Sequence, residues 1–430
     1  MGRRLPHPSF SLRNLLSAAL LLCSVALIVG STRLWMTAYL ASTPDPSKWM
    51  RAVRLDPGNA QLWGRIGIRE LRNSRRAEAV RDLQRAAELD PYSGSLWAGL
   101  ADAYEAGGQI EQARKAYETA QSARPVSAEI AWQFGSFLLR QGETKQAAQQ
   151  IRRALVNKPQ LVASAISQFS KAGVGLDQIL ERVLPANRKD YLAALNFFVS
   201  QQQYDAALGS WKKLAGLGPK VPLDDSLDLI GNLMALHRTE DAEQVWRQAL
   251  SLAGLAGRAG TGGSLVFNGG FEGGLVNGGF GWRWLPTYGA SLDLVGDVVH
   301  GGGQSARVTF DGTANADFGG LRQYVAIRPA QRYRFSAYMR TDRISTDSGP
   351  QFVIWSCADP VRLLAQTPAM TGTHPWTQVE TTFTAGPNMQ CADIVLRRAP
   401  SQMFENKILG TVWVDDVRLL PAPAGGDQAP

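Results

Sequence analysis

Residues 91–125 read PYSGSLWAGLADAYEAGGQIEQARKAYETAQSARP, and their pattern predicts the architecture of the N-terminal half. Its small side chains stand at fixed helical positions, where they allow two antiparallel helices to approach closely. A proline stands at either end, Pro91 and Pro125. Proline cannot continue a helix and restricts the residue before it, so each proline marks the end of a unit. The stretch therefore predicts a pair of packed helices.

The pair repeats along the chain with a period of 34 residues. The prolines that keep this spacing are Pro57, Pro91, Pro125 and Pro159. Further columns with the same spacing are Ala79, Ala113 and Ala147; Ala86, Ala120 and Ala154; Leu83, Tyr117 and Ile151; Trp63 and Trp97; and Gly67, Ala101 and Gly135. A fixed period of this length is typical of stacked helical repeats with a continuous core.

These columns resemble the tetratricopeptide repeat. The second copy matches with Trp97, Leu100, Ala101, Tyr104, Ala113, Tyr117, Ala120 and Pro125, whereas the first places Glu70 where tyrosine is expected. The resemblance implies an all-α solenoid over residues 44–253 whose concave groove binds a protein partner. Trp49, Ala52 and Pro57 predict the second helix of an incomplete leading repeat, and residues 160–187 predict a degenerate or shortened helical pair. The matching positions are packing positions, so they do not identify the partner.

Residues 1–43 predict a cytoplasmic stub followed by a transmembrane anchor. Nineteen uncharged residues lie between Arg13 and Arg33, so the span covers about residues 14–32 and ~28 Å. Arg3, Arg4 and Arg13 precede it and favour a cytoplasmic N-terminus. A cleaved signal peptide is the alternative. In both cases we expect the rest of the chain to be exported, and the anchor predicts a single-pass inner-membrane protein.

Composition excludes several classes of protein. The 430 residues are 45% hydrophobic and 19% charged, which excludes a disordered chain and a polytopic membrane protein. The net charge of +8 divides into +4 in residues 1–50, +5 in 51–260 and −1 in 261–430. A uniformly basic nucleic-acid binder is therefore not expected. Nine arginines between Arg51 and Arg85 predict a patch that lies against anionic lipid headgroups.

The pattern changes after a glycine-rich linker at residues 254–263. Arg332–Arg340 alternates with period two, and further strand-like runs follow, separated by Gly, Pro, Asn and Asp. Residues 264–421 therefore predict an all-β sandwich, and residues 422–430 a disordered tail. Cys357 and Cys391 lie in this part of an exported chain, so we expect a disulfide; two separate buried thiols are the alternative.

The order of several segments resembles a carbohydrate-binding module of the galactose-binding-like jelly-roll type. The segments are 268–272, 303–310, 333–340 and 412–419, together with Trp282, Trp376 and Phe383. The resemblance implies a concave β-face that binds glycan. It also implies a structural calcium near the chain ends of the domain, held by Glu272 and by Asp415 or Asp416. Calcium needs six to eight oxygen ligands, so further ligands would be required.

Strand alternation predicts which residues contact a sugar, since glycan sites combine flat aromatic rings with orienting polar groups. Tyr338 and Arg340 share a strand face, and Trp355 lies on the next strand. If Cys357 bonds Cys391, Asp393 and Arg397 project to the same side. The predicted carbohydrate surface is therefore Tyr338, Arg340, Trp355, Asp393 and Arg397, with Trp284 and Tyr288 as a rim. The alternative is that Trp355 belongs to the core and the arginines are only solvated.

We expect no enzymatic activity, because the sequence lacks a phosphate-binding loop, a dinucleotide fingerprint, a nucleophile elbow and metal-ligand spacing of its histidines. The sequence thus predicts a membrane-anchored exported scaffold that binds a protein through its repeats and a polysaccharide through its sandwich, with a role in bacterial exopolysaccharide assembly or export. The alternative is an envelope assembly factor whose β-sandwich is structural or binds protein.

Overall fold

The computed structural model describes residues 12–258, 261–357, 361–404 and 406–423. By its internal contacts the chain divides into two compact units, Met1–Pro185 and Ala186–Pro430. The predicted stub at residues 1–11 and most of the predicted tail, residues 424–430, lie outside the described residues.

The first unit is helical. Its α-helices are α1 Leu12–Ser42, α2 Pro46–Leu55, α3 Ala60–Arg72, α4 Arg76–Leu89, α5 Gly94–Ala106, α6 Ile110–Ala123, α7 Ala128–Arg140, α8 Thr144–Asn157, α9 Val162–Lys171 and the single turn α10 Leu176–Gln178. Alpha-10 continues into a π-helical turn, Ile179–Val183, so a shortened pair occupies the region predicted to be degenerate. Within the described residues of α1, Leu16–Ser42 is long and apolar enough to be a membrane span or a signal sequence.

The period of 34 residues reflects a repeated backbone break. Asp56, Asp90, Arg124 and Lys158 each precede a proline and end a helix, with φ between −138° and −134°. A residue before proline is driven out of the helical region by the proline ring, so each repeat ends at the same place. The tryptophan column supports the same turn, because Trp63 and Trp97 each donate from Nε1 to the carbonyl of the proline six residues earlier.

Small residues allow the two helices of a pair to touch. A Cβ at Gly67 would lie 2.5 Å from Leu83 Cγ, and one at Gly135 would lie 2.8 Å from Ile151 Cγ1. In each pair the glycine belongs to the predicted column of small residues, and its partner belongs to the predicted column of large residues. Glu70, the departure from the pattern, is buried and forms an ion pair with Arg75 at 3.2 Å.

The leading repeat includes the end of α1. Leu40 and Ala41 pack against buried Ala52 and Val53 of α2. Arg65 of α3 donates to the Ala41 carbonyl at 2.6 Å. The sequence predicted only the second helix of this repeat and an anchor that ends at residue 43. In the structure, the C-terminal end of α1 serves as the first helix of the repeat.

The second unit holds two more helical pairs and the sandwich. Its helices are α11 Arg188–Ser200, α12 Tyr204–Ala215, α13 Asp224–Ala235 and α14 Thr239–Leu252. Its strands are β1 Arg283–Trp284, β2 Ala290–Val295, β3 Ser305–Asp311, β4 Phe318–Ala326, β5 Arg332–Ile344, β6 Gln351–Ser356, β7 Leu363–Gln366, β8 Gly372–Thr384, β9 Cys391–Arg398 and β10 Leu409–Pro421.

The strands form two five-stranded antiparallel sheets. Sheet I has the order β1-β4-β9-β6-β7, and sheet II has the order β2-β3-β10-β5-β8. Alternate residues of both sheets point inward and form one core, which includes Phe335 of β5 and Phe352 of β6 with ring centroids 4.9 Å apart. The predicted two-sheet, all-β sandwich is confirmed, as is the alternation along β5.

The last helical pair packs directly on the sandwich. Trp246 of α14 lies 5.2 Å from the ring of Phe267 and 6.3 Å from that of Phe280. A Cβ at Gly279 would lie only 2.7 Å from the Trp246 ring, so the loop before β1 requires glycine there. Aromatic contacts therefore join the helices before the predicted linker 254–263 to the loops and strands after it, within one compact unit.

Candidate functional site

The outer face of sheet I carries a cleft of about 590 Å³. Its lining residues are Gly231, Met234, Ala235, His237, Arg283, Arg322, Tyr324, Trp355, Ser356, Cys357, Val361 and Asp393. The strands supply the aromatic rings and the charges, whereas α13 supplies an apolar wall and the turn after it supplies His237. We call this space the cleft.

Register places the polar groups of the cleft side by side. Trp355 of β6 lies opposite Asp393 of β9, and Gln351 lies opposite Arg397. Residues two apart along a strand share a face, so Trp355, Asp393 and Arg397 all project outward from sheet I. A disulfide joins Cys357, just after β6, to Cys391 at the start of β9, with the Cα atoms 5.4 Å apart.

Asp393 is a buried carboxylate with a cationic partner. Only 3% of the residue is exposed, and it accepts hydrogen bonds from Nε and Nη2 of Arg322 on β4. A buried charge is tolerated when it is paired and hydrogen-bonded. The Asp393 charge is therefore compensated by Arg322 within the floor of the cleft.

Arg283 introduces a second cation directly opposite Arg322. The two residues are register partners on β1 and β4. The Arg283 guanidinium lies 4.8 Å from the centroid of the Tyr324 ring, and its Nη2 donates to the Gly279 carbonyl at 2.9 Å. Burial lowers the pKa of Arg283, and the positive charge of Arg322 acts in the same direction. Among the described residues no carboxylate pairs with Arg283.

Arg397 does not interact with the charged groups of the cleft. It forms an ion pair with Asp317 and donates to the Phe318 carbonyl at 3.3 Å. It shares the outer face of sheet I but does not line the cleft. Its guanidinium is compensated by a neighbour, in contrast to that of Arg283.

The predicted carbohydrate surface does not form as one surface. Tyr338 and Arg340 lie on β5 of sheet II, whereas Trp355, Asp393 and Arg397 lie on sheet I. Because β5 and β6 follow each other in the chain, their outward faces were expected to form one surface, but the chain crosses from sheet II to sheet I between these two strands. The prediction of a single surface is therefore wrong.

On sheet II, Tyr338 and Arg340 contact other side chains. The Tyr338 ring stacks on His300 with centroids 3.5 Å apart, and Trp376 lies 5.8 Å from His300. Arg340 lies 5.6 Å from the Trp413 ring. These contacts make an aromatic cluster on the face of the sandwich that is turned away from the cleft.

The predicted rim residues lie outside the cleft. Trp284 is half-buried and packs on the core at 5.9 Å from Phe318. Tyr288 follows β1 in a loop and is 80% exposed. Neither is a lining residue, because β1 ends after Trp284 and the chain turns toward β2.

The predicted calcium ligands hold a glycine loop. Asp415 is fully buried and accepts hydrogen bonds from the backbone N–H groups of His300, Gly301 and Asp416; burial raises its pKa. Glu272 accepts from the N–H groups of Gly303 and Gln304. Asp416 contacts the His300 ring at 2.7 Å.

These carboxylates, as placed, do not fit a calcium ion by themselves. Within the part of the chain that the structure describes, no three His, Cys, Asp or Glu side chains converge as a metal site. Both oxygens of Asp415 and Oε1 of Glu272 accept hydrogen bonds from backbone N–H groups. The calcium site stays a prediction, and the function proposed below does not depend on it.

Sequence reasoning missed three residues of the cleft, namely Arg283, Arg322 and Tyr324. Arg322 and Tyr324 alternate with buried Leu321, Gln323 and Val325 along β4, so the period-two pattern could have identified their face. Arg283 lies on a strand of two residues, which is too short to leave a pattern. The helical wall left no local signal, because it depends on how α13 packs.

Comparisons with known proteins agree with the repeat interpretation. A family model described as tetratricopeptide repeat matches residues 98–162. These residues comprise most of α5, the helices α6, α7 and α8, and the start of α9. No curated relative matches the chain.

Solved structures resemble each part of the chain. A structure described as "CBM4 structure and function" is 20% identical, with a TM-score of 0.28, and the match covers 36% of this chain and 99% of that one. The CBM22-1 xylan-binding domain of Paenibacillus barcinonensis Xyn10C is 14% identical, with a TM-score of 0.26 and coverages of 36% and 93%.

The pilF protein of Pseudomonas aeruginosa is 19% identical, with a TM-score of 0.25 and coverages of 46% and 92%. All three TM-scores lie below 0.5, so the assignment rests on the repeat match and on the architecture described above. The chain therefore carries a tetratricopeptide-repeat match over residues 98–162 and a C-terminal, two-sheet, all-β sandwich.

Proposed function

We propose that the protein is a membrane-anchored, exported scaffold that binds a polysaccharide in the cleft and a protein partner in the groove of its helical repeats. Its role is binding rather than catalysis, in the assembly or export of a bacterial exopolysaccharide. Two contacts on one chain raise the effective concentration of each ligand near the other.

The cleft is the observation that carries the polysaccharide part of the proposal. It combines the rings of Trp355 and Tyr324 with the charged groups of Arg283, Arg322 and Asp393 in one open space. Aromatic rings supply apolar contact area for the faces of sugar rings, and a few fixed polar groups orient the hydroxyls. Both kinds of group are held by the rigid strands of sheet I.

Binding of polysaccharides to the full chain in detergent tests this part. We expect a subset of polysaccharides on a glycan array to bind, with the affinity reduced at least about tenfold in Trp355→Ala. The array is probed with and without chelator, because the calcium site stays a prediction. Absence of binding under both conditions would reject the polysaccharide ligand.

A structural β-sandwich is the second candidate function, and burial on the outer face of sheet I favours it. Val395 and Asp393 point outward, yet each is at most 4% exposed. Such burial is expected if α13 simply covers the sheet. The same array separates the two functions, since a structural sandwich binds no polysaccharide and Trp355→Ala then changes only stability.

The inner helices of the first unit form a groove suited to a polypeptide. One space of about 760 Å³ is lined by α3, α5 and α7, including Ile68, Ile130, Arg72 and Glu129. Mixed apolar and charged groups of this kind suit an extended peptide. A photo-cross-linking residue at Gln133 in the groove should capture the partner, whereas one at exposed Gln84 on α4 should not; equal capture at both would contradict the proposal.

Export is supported by the disulfide and by α1. Disulfides persist in oxidising compartments, and Cys357–Cys391 is joined in the structure. The apolar helix Leu16–Ser42 is long enough to be the anchor. A reporter that is active only outside the cytoplasm, fused after residue 423, should be active; activity of a cytoplasmic reporter at the same place would contradict this topology.

Arginines beside α1 support contact with an anionic membrane. Arg51, Arg54, Arg72 and Arg76 are exposed. Because exposed charges attract anionic headgroups within a Debye length, we expect binding of the chain without its anchor, residues 44–430, to anionic vesicles to weaken as salt is raised. Binding that is indifferent to salt would contradict the contact.

A further inference from the structure

We propose that the ligand of the cleft is an acidic polysaccharide and that Arg283 binds its carboxylate groups. This inference rests on the proposed function and adds the chemical class of the sugar. Two observations support it: the cleft has one more positive than negative side chain among its described arginines and aspartate, and Arg283 is held in a fixed position there.

The described residues of the cleft leave one positive charge uncompensated. Arg283 and Arg322 are direct partners on the neighbouring strands β1 and β4. Asp393 is the carboxylate that lines the cleft with them. Both hydrogen bonds to Asp393 come from Arg322. Like charges directly opposite in a sheet repel, so a second anion beside Arg283 would stabilise the site.

Contacts within the protein use only part of the Arg283 guanidinium. One Nη donates to the Gly279 carbonyl at 2.9 Å, and the plane is held near the Tyr324 ring at 4.8 Å. Nε is buried without a partner among the described residues. The position of the group is therefore fixed, and Nη1, which makes no hydrogen bond among the described residues, remains to donate to a carboxylate.

The aromatic residues define where the rest of the sugar would lie. Tyr324 and Trp355 line the same cleft as Arg283, so a sugar ring on either aromatic face has its substituents near the guanidinium. A uronic acid carries its carboxylate directly on the ring. A neutral sugar in the same place would leave the Arg283 charge buried without an anion, which costs free energy.

The experiment compares polymers whose carboxyl groups are either charged or methyl-esterified. Calorimetry with the full chain in detergent measures binding of polygalacturonate and alginate against their methyl-esterified forms, with dextran sulfate against dextran as a test of non-specific attraction. We expect at least about tenfold tighter binding of the acids, as for loss of one charge-assisted hydrogen bond. Arg283→Gln should remove this preference, so that the acids and their esters bind with equal affinity.

Arg334→Gln is the matched control, because Arg334 lies on sheet II and is ion-paired with Glu380. It should keep the full preference for the acids, and Arg283→Lys should keep part of it. Binding of esters and acids with equal affinity would overturn the inference while leaving polysaccharide binding intact. A preference that survives Arg283→Gln, or that is as large for dextran sulfate, would also overturn it. Binding of none of these polymers would overturn the inference, and absence of binding to the whole glycan array would overturn the proposed function as well.

Discussion

Trp355 of β6 lies directly opposite Asp393 of β9, so that an indole ring and a buried carboxylate share the outer face of sheet I. This pairing joins the aromatic surface of the cleft to its charged floor. It also places the candidate cleft on sheet I, beside α13.

The first prediction distinguishes the two sheets. Trp355→Ala should weaken polysaccharide binding at least about tenfold, because it removes a large contact surface from the cleft. Tyr338→Ala, on sheet II, should leave the affinity unchanged, since Tyr338 contacts His300 and not the cleft. Calorimetry on both variants checks this. The reverse pattern would move the binding site to sheet II.

The second prediction concerns the charge of Asp393. Asp393→Ala should lower the free energy of unfolding of the sandwich by about 2–3 kcal/mol, because Arg322 loses the charged partner of its hydrogen bonds. Asp293→Ala is the control, since Asp293 is exposed and paired with Arg307 at the surface; it should cost less than about 1 kcal/mol. Urea unfolding followed by tryptophan fluorescence measures both. Equal losses would mean that the Arg322–Asp393 pair adds nothing beyond a surface pair.

The third prediction concerns the disulfide. Cys357→Ser should lower the free energy of unfolding by about 2–4 kcal/mol, because the crosslink closes a loop between residues 34 apart in sequence. Binding in the cleft should weaken as well, because Cys357 is a lining residue. Cys23→Ser is the control and should change neither quantity. Thermal unfolding with and without reductant gives an independent measurement, and insensitivity to reductant would contradict the prediction.

The fourth prediction concerns Asp102 in the groove of the first unit. Burial raises the pKa of Asp102, although the Tyr117 hydroxyl donates to it. A carboxyl with a raised pKa in the folded state stabilises the fold most below its unfolded pKa of 3.8, and this contribution is lost as pH rises through the folded pKa. Asp102→Asn should therefore gain stability relative to the unmodified protein as pH rises from 3.8 toward neutrality.

Thermal unfolding followed by the helical circular dichroism signal across this range measures the effect. Asp56→Asn is the control, because Asp56 lies at the end of α2 outside the groove. A stability difference for Asp102→Asn that does not change with pH would contradict the prediction.

Much of the helical fold is local and was therefore predictable from sequence. Pro91 and Pro125 restrict the residues before them, and Gly67 and Gly135 remove side chains where helices touch. Both effects act between residues of one repeat, so they are visible in the sequence as a period of 34 residues. Along β5, alternation likewise separates buried Phe335 from exposed Arg334.

The site was predictable only in part. Trp355, Asp393 and Arg397 were correctly placed on one face, because alternation and the cysteine pair fix which way neighbouring strands point. Tyr338 was assigned to the same face because sequence order was taken for sheet order. Strand order depends on crossovers between the two sheets, and no local pattern records it.

The sequence by itself therefore determined the repeat, the sandwich, the apolar helix and the inward or outward side of each long strand, since these follow from backbone restriction and side-chain periodicity. Tertiary structure alone decided which strands are neighbours, that α13 walls the cleft, and that Arg283 faces Arg322 across β1 and β4. The physical reason is distance along the chain, because residues far apart in sequence meet only through the packing of the whole unit.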